Sequence, residues 1–211
     1  MPAPHRIAFE HLLENKDLPI GEVQAFLQDS QGFMWIGAGG GLIRYDGYQF
    51  RFIPQTVATS NGLKKRPVKM VNHIYEDKQH ILWVSTRTGL LRYDPRREEL
   101  TPIPDDPSSP QRISNADLRK SVVLPSGELL VAALNGLFVV NRESLKYSVI
   151  SVESNRTDGL HSGTVNAMHV DGRGTLWLGT NAGLERVDWA SKTFTLILPY
   201  PQTVSYTHLT L

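Results

Sequence analysis

The sequence predicts an all-β fold: a β-propeller of about four blades, each with four antiparallel strands, forming an incomplete ring. The first observation behind this prediction is a module that recurs four times along the 211 residues. The second is that each copy contains four short strand patterns separated by turn residues. The third is that no segment shows a convincing 3.6-residue period, which an amphipathic helix would require.

The repeat is clearest in the column formed by Trp35, Trp83, Leu130 and Trp177. These positions are separated by steps of 48, 47 and 47 residues. An even step with several matching columns is hard to obtain by chance, and it lies close to the period of roughly 40–50 residues found in propeller blades.

The copies define the predicted organisation of the chain. Blade repeats are expected at 23–54, 71–104, 118–150 and 165–198, and the third is degenerate because Leu130 and Ala132 replace tryptophan and glycine. Residues 1–22 contain an alternating run at 6–12, which we expect to act as a ring-closing strand. Residues 199–211 fit no repeat, and we expect a foreign tail. Such a fragment would leave an open edge strand and an exposed face between blades.

Each copy follows one order of strands and turns. The first strand alternates, as in Val71–Glu76, and is followed by a polar turn and a second strand that carries the tryptophan. A glycine turn precedes the third strand, and Asn135-Gly136 is a strong hairpin signal there because both residues tolerate positive φ. Fourth strands are expected at 49–53, 98–103, 146–150 and 192–198.

The recurring residues have structural interpretations. We expect the three indoles to pack between neighbouring blades, where each could bury about 150–250 Å², and Gly37 and Gly179 to allow close approach in the same layer. The aspartates of the first turn should accept hydrogen bonds from nearby backbone N–H groups; they are Asp29, Asp77 and Asp171. The glycines that allow the turn before the third strand are Gly41, Gly89, Gly136 and Gly183. The arginines expected to form an ion pair or hydrogen bond that ties blades together are Arg44, Arg92 and Arg186.

Composition narrows the classes of function. A net charge of +1 argues against nucleic acid as the main partner, and the basic run at 64–66 is interpreted as a solvated loop. The absence of cysteine excludes disulfides and thiolate chemistry. No signal peptide is visible, and the longest apolar stretch, 129–140, is shorter than the roughly 20 residues of a membrane span. We therefore expect no membrane contact by this segment, and no metal or cofactor.

Two stretches carry a family resemblance. Residues 29–37 with 41–47, and 171–180 with 183–186, combine Trp-[Ile/Leu]-Gly with Gly-Leu-x-Arg. In this they closely resemble the two-component regulator propeller repeat, and 103–115 resembles the usual linker between its blades. The resemblance implies a periplasmic sensor region that precedes a membrane span and a cytoplasmic histidine kinase or diguanylate cyclase. No motif of either output is present, so we expect this chain to be non-catalytic.

A ligand is expected on the loops that share one face of the ring, because variable loops on a regular scaffold usually carry binding. The segments are 38–41, 54–67, 86–88, 103–117, 133–135, 150–164 and 180–182. The candidate ligand-binding residues are Lys64, Arg66, Arg87, Thr88, Asn115, Asn135, Arg156, His161 and Asn181. The expected partner is a small molecule, a glycan or a partner domain, with a homodimer in the full-length receptor.

Two alternatives remain open at this point. A lyase or glycosidase on a propeller scaffold would need a convergent acid–base pair or a metal site. His73 and His169 occupy different repeat columns and are interpreted as ordinary strand histidines, and Asp105-Asp106 as a linker turn. A protein–protein interaction scaffold would use the same loops as a sensor, so the sequence does not separate these two functions.

Overall fold

The computed structural model describes residues 21–60, 62–68, 70–152 and 159–197. The predicted clasp at 6–12, Arg156 and the predicted tail at 199–211 lie outside these residues. The described chain forms four antiparallel units that follow one another in sequence, which confirms the all-β propeller architecture.

In the first, third and fourth units the strands are hydrogen-bonded in sequence order. The first blade contains Val23–Gln28 (β1), Met34–Ala38 (β2), Gly41–Tyr45 (β3) and Phe50–Phe52 (β4). The second contains an added hairpin, Gln55–Thr59 (β5) and Gly62–Arg66 (β6), followed by Val71–Glu76 (β7), Leu82–Thr86 (β8), Gly89–Asp94 (β9) and Glu99–Pro102 (β10). The third contains Leu118–Val123 (β11), Leu129–Ala133 (β12), Gly136–Val140 (β13) and Tyr147–Ile150 (β14). The fourth contains Val165–Val170 (β15), Leu176–Thr180 (β16), Gly183–Asp188 (β17) and Thr193–Ile197 (β18).

The second blade departs from the predicted four-stranded unit. The segment 54–67, expected to be a loop, forms the β5–β6 hairpin, and β5 pairs in parallel with β10 through Gln55 and Leu100. The sheet therefore has six strands, with β6 at its outer edge and β7 at its inner edge. Sequence reasoning missed the hairpin because it is an insertion outside the repeat. The linker at 103–117 also contains a short 3₁₀ helix, Ile113–Asn115.

The first strands of the blades lie together at the centre. Strands β1, β7, β11 and β15 contact one another in succession, and each begins the sheet of its own blade. The second strand of a blade packs against the first strand of the next, as β2 does on β7, β8 on β11, and β12 on β15. Every blade-to-blade contact therefore repeats one geometry. No strand pairing joins the fourth blade to the first among the described residues, so the ring is open.

The contact between Gly37 and Val71 shows this geometry most directly. A Cβ atom on Gly37 would lie 2.5 Å from the Cγ1 atom of Val71, so only glycine lets the valine approach β2 this closely. Val71 is completely buried as a result, and so are Leu118 and Val165 at the equivalent positions of the next two blades. At each interface, therefore, a buried aliphatic side chain at the start of one blade, which we call the plug, packs against small residues on the second strand of the blade before it, which we call the socket.

The tryptophan prediction holds for two of the three indoles. Trp35 and Trp83 are 1% exposed and lie in the cores between blades, where the Trp35 ring meets the edge of Tyr93. Trp177 is only half-buried, because the face of the fourth blade that carries it packs against no further blade among the described residues.

The predicted first-turn aspartates do more than bond to the backbone. Asp77 accepts the N–H groups of Gln79 and Ile81 on Oδ1, and the indole N–H of Trp83 on Oδ2. Asp29 and Asp171 repeat this arrangement with Trp35 and Trp177. The indole bond lowers the pKa of Asp171 most strongly, followed by the bond from the Thr175 N–H.

The arginine column is only partly an inter-blade tie. Arg44 lies 3.6 Å from Glu98 of the second blade, as predicted. Arg92 instead pairs with Asp94 of its own strand at 3.8 Å, so the prediction was wrong for this residue. Arg186 is exposed on the fourth blade, which has no following blade among the described residues, so the prediction is not tested there. A stronger tie comes from Arg142 of the third blade, whose Nη1 lies 2.7 Å from Asp77 Oδ2.

Candidate ligand-binding site

The first strands of all four blades converge on one cavity of about 380 Å³, which we call the central pocket. It is open to solvent, and most of the residues that line it are polar or charged. Its lining residues are Glu22, Gln24, Gly39, Met70, Asn72, Arg87, Asp117, Arg119, Lys120 and Asn166.

A backbone irregularity places four of these side chains in the pocket. The residue that follows the aliphatic plug sits at a register shift in every blade, between Val71 and His73 in the second blade. A bulge of this kind changes the direction of a side chain relative to the regular strand. The residues presented in this way are Gln24, Asn72, Arg119 and Asn166.

Hydrogen bonds fix the direction of the two asparagine amides. Asn72 Nδ2 donates to Asp117 Oδ1 at 3.1 Å and to the Leu118 carbonyl at 2.8 Å. Asn166 Nδ2 donates to Asn181 Oδ1 at 2.8 Å. Hydrogen bonds to residues at the edge of the pocket hold both amides in place. Their remaining polar atoms are therefore oriented before a ligand binds, which lowers the entropic cost of binding.

The charges of the pocket are mixed, with a small excess of basic groups. Arg87, Arg119 and Lys120 face Glu22 and Asp117 around the same cavity. The Nε atom of Arg119 is buried and has no hydrogen-bond partner in the described part of the chain. Because an unpaired buried donor costs free energy, this arginine favours a ligand with acceptor oxygens.

A neutral histidine lies directly behind this wall. His73 Nδ1 accepts the backbone N–H of Ser121 at 3.2 Å and lies 3.1 Å from the Ser121 hydroxyl. Burial, assisted by the charge of Lys120, lowers the pKa of His73 to about 4. The imidazole is therefore uncharged near neutral pH and is not poised to exchange protons there, in keeping with its interpretation as a strand histidine.

Two of the sequence-predicted residues lie at the central pocket. Arg87 lines it, and Asn181 supports it through the bond to Asn166. Thr88 and Asn135 are exposed on nearby turns but do not line the cavity.

The remaining predicted residues are not brought together with them. Lys64 and Arg66 lie on β6, at the edge of the second sheet farthest from β7. Asn115 ends the short 3₁₀ helix and is exposed. His161 Nδ1 lies 3.2 Å from Oε2 of Glu185, a fully buried carboxylate that also accepts a bond from Thr180.

Sequence reasoning missed most of the pocket wall. Gln24, Asn72, Arg119 and Asn166 were overlooked because they belong to strands, whereas only loops were searched. A signal was available in the alignment of the four copies, since these variable polar residues each follow an invariant aliphatic position: Val23, Val71, Leu118 and Val165.

A second polar cluster joins the first two blades at their turns. Ser30 donates its hydroxyl to Glu76 Oε1 at 2.6 Å and its backbone N–H to Oε2 at 2.8 Å. His80 Nδ1 lies 2.6 Å from the Ser30 hydroxyl and 3.1 Å from Glu76 Oε1. A nucleophilic triad needs one ring nitrogen on serine and the other on the acid. Here one nitrogen faces both, so the cluster acts as a clamp between blades.

Neither a metal centre nor a membrane helix is found in the parts of the chain that the structure describes. No group of three or more histidine or acidic side chains there could hold a metal ion. No helix there has the length and hydrophobicity needed to cross a bilayer.

Comparison with known families decides the identity of the repeat. The model of the two component regulator propeller matches residues 17–40, 66–88 and 159–182. Three of the four copies match the two component regulator propeller repeat. The three matches fall on the first, second and fourth copies, and the degenerate third copy, with Leu130 in the tryptophan column, is not among them.

Solved structures with a similar fold include extracellular domains of bacterial one component and two component systems. The extracellular domain of a one component system from B. thetaiotaomicron is 23% identical, with a TM-score of 0.65 over 79% of this chain and 21% of its own. The extracellular domain of a hybrid two component system from the same organism is 19% identical, with a TM-score of 0.57 over 83% of this chain and 30% of its own. The propeller chain thus spans less than a third of either.

Enzymes share the fold as well. Virginiamycin B lyase from Staphylococcus aureus is 12% identical, with a TM-score of 0.57 over 85% of this chain and 56% of its own. Likenesses at this level of identity show the fold and not the activity. A search of curated proteins found no match to the chain.

Proposed function

We propose that this chain is the ligand-sensing propeller portion of a membrane-bound bacterial receptor of the two-component or diguanylate cyclase type, located in the periplasm and without catalytic activity of its own. The observation that carries the proposal is the central pocket, to which all four blades contribute polar side chains. A ligand bound there contacts every blade and so stabilises one arrangement of the blades, which is what a sensor needs to transmit occupancy.

The chemistry of the pocket favours a polar ligand rich in oxygen. The guanidinium groups of Arg87 and Arg119 and the second amide N–H of Asn166 are donors suited to hydroxyl and carboxylate oxygens. The amide of Asn72 donates both of its hydrogens within the protein, so its oxygen is the atom suited to accept a ligand hydroxyl. The pocket exposes few apolar side chains, of which Met70 is the main one. A small oligosaccharide fits this description better than an apolar molecule does.

Direct binding tests the proposal. Purified chain is titrated calorimetrically with a panel of neutral and uronate-containing oligosaccharides, and we expect saturable binding by at least one of them. Arg87→Ala should weaken that binding about tenfold, since a hydrogen bond to a charged group contributes about 1.5–3 kcal/mol. Arg66→Ala makes the same chemical change on β6, away from the pocket, and should leave the affinity unchanged.

The alternatives predict other outcomes. Equal affinity of the wild-type chain and Arg87→Ala for every bound sugar would contradict the assignment of the pocket. If no sugar binds and a partner domain is captured through the same face, the chain is an interaction scaffold. Turnover of an added sugar, or of quinupristin, with which a structure of virginiamycin B lyase from Staphylococcus aureus was solved, would instead show an enzyme when followed by mass spectrometry. We expect none, and turnover of a sugar would point to the two carboxylates of the lining, Glu22 and Asp117, as the acid–base pair.

A further inference from the structure

A second cavity lies between the second and third blades, and we call it the inter-blade cavity. Its volume of about 640 Å³ falls within the range of about 300–1,000 Å³ found for ligand sites. Its walls come from two adjacent blades inside the described chain, from residues 77–92 of the second and 126–145 of the third. It shares no lining residue with the central pocket, so the two are separate.

The interface between the first and second blades shows what fills this position elsewhere. Arg44 lies 3.6 Å from the carboxylate of Glu98 in the next blade, and its guanidinium stacks over the Phe33 ring at 4.7 Å. Glu98, Leu145 and Lys192 follow one another at steps of 47 residues, and all three have a positive φ between 49° and 59°. The backbone thus shows that these three positions correspond, and that the first of them neutralises an arginine of the blade before it.

The interface between the second and third blades keeps the arginine but lacks both of its partners. Arg92 stands in the column of Arg44, whereas Leu145 replaces the glutamate and Ile81 replaces the phenylalanine. The Arg92 side chain is 31% exposed, and its one ionic contact among the described residues is Asp94 at 3.8 Å, which is longer than a hydrogen bond. Because arginine stays charged at any ordinary pH, the cavity contains a cation without the carboxylate that the pattern provides.

The interface between the third and fourth blades has lost the pair altogether. Val139 stands in the arginine column there, and Lys192 stands in place of the glutamate. The Lys192 ammonium lies over the Trp189 ring, 3.1 Å from its centre. Of the three described interfaces, the second is therefore the one that presents a guanidinium to an open cavity.

Two amides of the inter-blade cavity are held in place by the protein. Gln79 Oε1 accepts a hydrogen bond from Arg142 at 2.6 Å, and Asn141 Oδ1 accepts the Glu143 N–H at 3.0 Å. Because these oxygens are already engaged, the NH₂ groups are the atoms of both amides that suit a ligand, and they favour carbonyl oxygens. The charge of Arg142 is itself neutralised by Asp77, at 2.7 Å.

Carboxylates and apolar side chains complete the lining. Glu128 and Glu143 are acceptors suited to an amine or to other N–H groups of a bound molecule. Ile81, Trp83 and Leu145 supply apolar surface. A molecule that satisfies every one of these groups has a carboxylate, carbonyl oxygens, an amine and an apolar side chain.

We propose that the inter-blade cavity binds a short peptide through its free C-terminal carboxylate, which pairs with Arg92 as Glu98 pairs with Arg44. The peptide carbonyls accept hydrogen bonds from the two amides, and the amino group lies toward Glu143. Apolar side chains of the peptide cover Leu145. This site does not depend on the function proposed for the central pocket.

Calorimetric titration with the dipeptides and tripeptides of leucine and alanine tests the site. We expect saturable binding, with the leucine peptides tighter because they cover more apolar surface. Leucyl-leucine amide lacks the anion and should bind about tenfold more weakly, as the loss of a hydrogen bond between charged groups implies. Hexanoate has the carboxylate and an apolar chain but neither amine nor peptide carbonyl, and should also bind more weakly than leucyl-leucine.

Leu145→Glu supplies the carboxylate that the first interface has, and should therefore compete with the ligand for Arg92. We expect it to weaken leucyl-leucine binding about tenfold or more. Leu145→Gln is the matched control, because it has nearly the same shape without the charge and should retain most of the affinity. Arg92→Gln should lose as much affinity as Leu145→Glu, whereas Arg186→Gln, in the same column but outside the cavity, should lose none. Circular dichroism verifies that each variant folds.

Arg87→Ala separates this site from the central pocket, which it lines. It should leave peptide binding unchanged, whatever its effect on the binding of sugars. The proposal is overturned if none of the four peptides binds at millimolar concentration, or if Leu145→Glu and Leu145→Gln bind leucyl-leucine equally well. Hexanoate that binds as tightly as leucyl-leucine would likewise overturn the assignment to peptides.

Discussion

Trp83 donates its indole N–H to the Oδ2 atom of Asp77 over 2.9 Å, and both side chains are almost fully buried between the second and third blades. The same aspartate accepts the Arg142 guanidinium at 2.7 Å. Tryptophan and aspartate recur together in the first, second and fourth blades, and both are missing in the third, where Leu124 and Leu130 stand. A buried indole N–H needs an acceptor, and the leucine pair removes the donor and the acceptor together.

Asp77→Ala should destabilise the fold strongly. It leaves the Trp83 N–H without its acceptor and Arg142 without its carboxylate partner, and breaking a buried ion pair by removing one partner costs about 3–5 kcal/mol. Asp29→Ala is the matched comparison, since Asp29 bonds to Trp35 but is not an Arg142 partner, and we expect a loss of about 1–2 kcal/mol. Urea unfolding measures both, and equal losses would contradict the role given to Arg142.

The Asp171 carboxylate should titrate at unusually low pH because Trp177 holds it in the charged form. Its pKa is lowered, first by the indole bond and then by the Thr175 N–H. The stabilisation is present above the pKa of the unfolded chain and is lost as the pH falls through the lower pKa of the folded chain. Trp177→Phe removes the first cause and should raise the pKa of Asp171 toward 3.8. Carbon-13 NMR of the carboxyl group provides the measurement; an unchanged titration would count against the bond.

Mild acid should destabilise the protein through His73. Between pH 6.5 and about 4 the unfolded chain binds a proton at this residue and the folded chain does not. Stability therefore falls as the pH drops through this window, by about 3 kcal/mol at most.

His73→Asn tests this dependence, because the amide oxygen can still accept the Ser121 N–H while the group no longer titrates. The slope of the unfolding free energy between pH 6.5 and 4 should flatten. The control is His169→Asn, at an exposed histidine of the fourth blade, which should keep the wild-type slope. A His73→Asn protein with the original slope would show that another group is responsible.

The plug-and-socket packing predicts a cost for a single methyl group. Gly37→Ala places a carbon 2.5 Å from Val71 Cγ1 and should destabilise the chain by about 1–3 kcal/mol, as overpacking does. Combining it with Val71→Ala should recover part of the loss, because the two changes share one space. Gly172→Ala, with nothing within 4 Å of its Cβ, should be nearly neutral in thermal unfolding. Additive losses in the double variant would mean that the two residues do not compete for space.

The sequence alone was sufficient to predict the β-propeller architecture. The spacing of Trp35, Trp83 and Trp177 and the glycines before each third strand predicted the blades, and the observed ends of the fourth strands lie within one residue of the predicted ones. A periodic sequence pattern predicts blades well because every copy packs against its neighbours in the same way. The β5–β6 hairpin was missed for the same reason, since an insertion occurs only once.

The candidate site was less accessible to sequence reasoning. Arg87 and Asn181 were found because they lie on loops, but Asn72 and Arg119 lie on strands, where alternation normally assigns a side chain to a sheet face. The register shift at the start of each first strand redirects these residues to the axis. A bulge depends on how a strand pairs with its neighbour, and the local sequence contains no pattern that predicts it.

The sequence by itself determined the module, its period and the residues that close each turn, since these depend on contacts within one blade. The tertiary structure decided which polar side chains meet at the axis, and which residues of neighbouring blades pack against each other. Both depend on how one blade is placed against the next. That placement follows from close packing across the interface, such as Val71 on Gly37, between residues 34 positions apart in the chain.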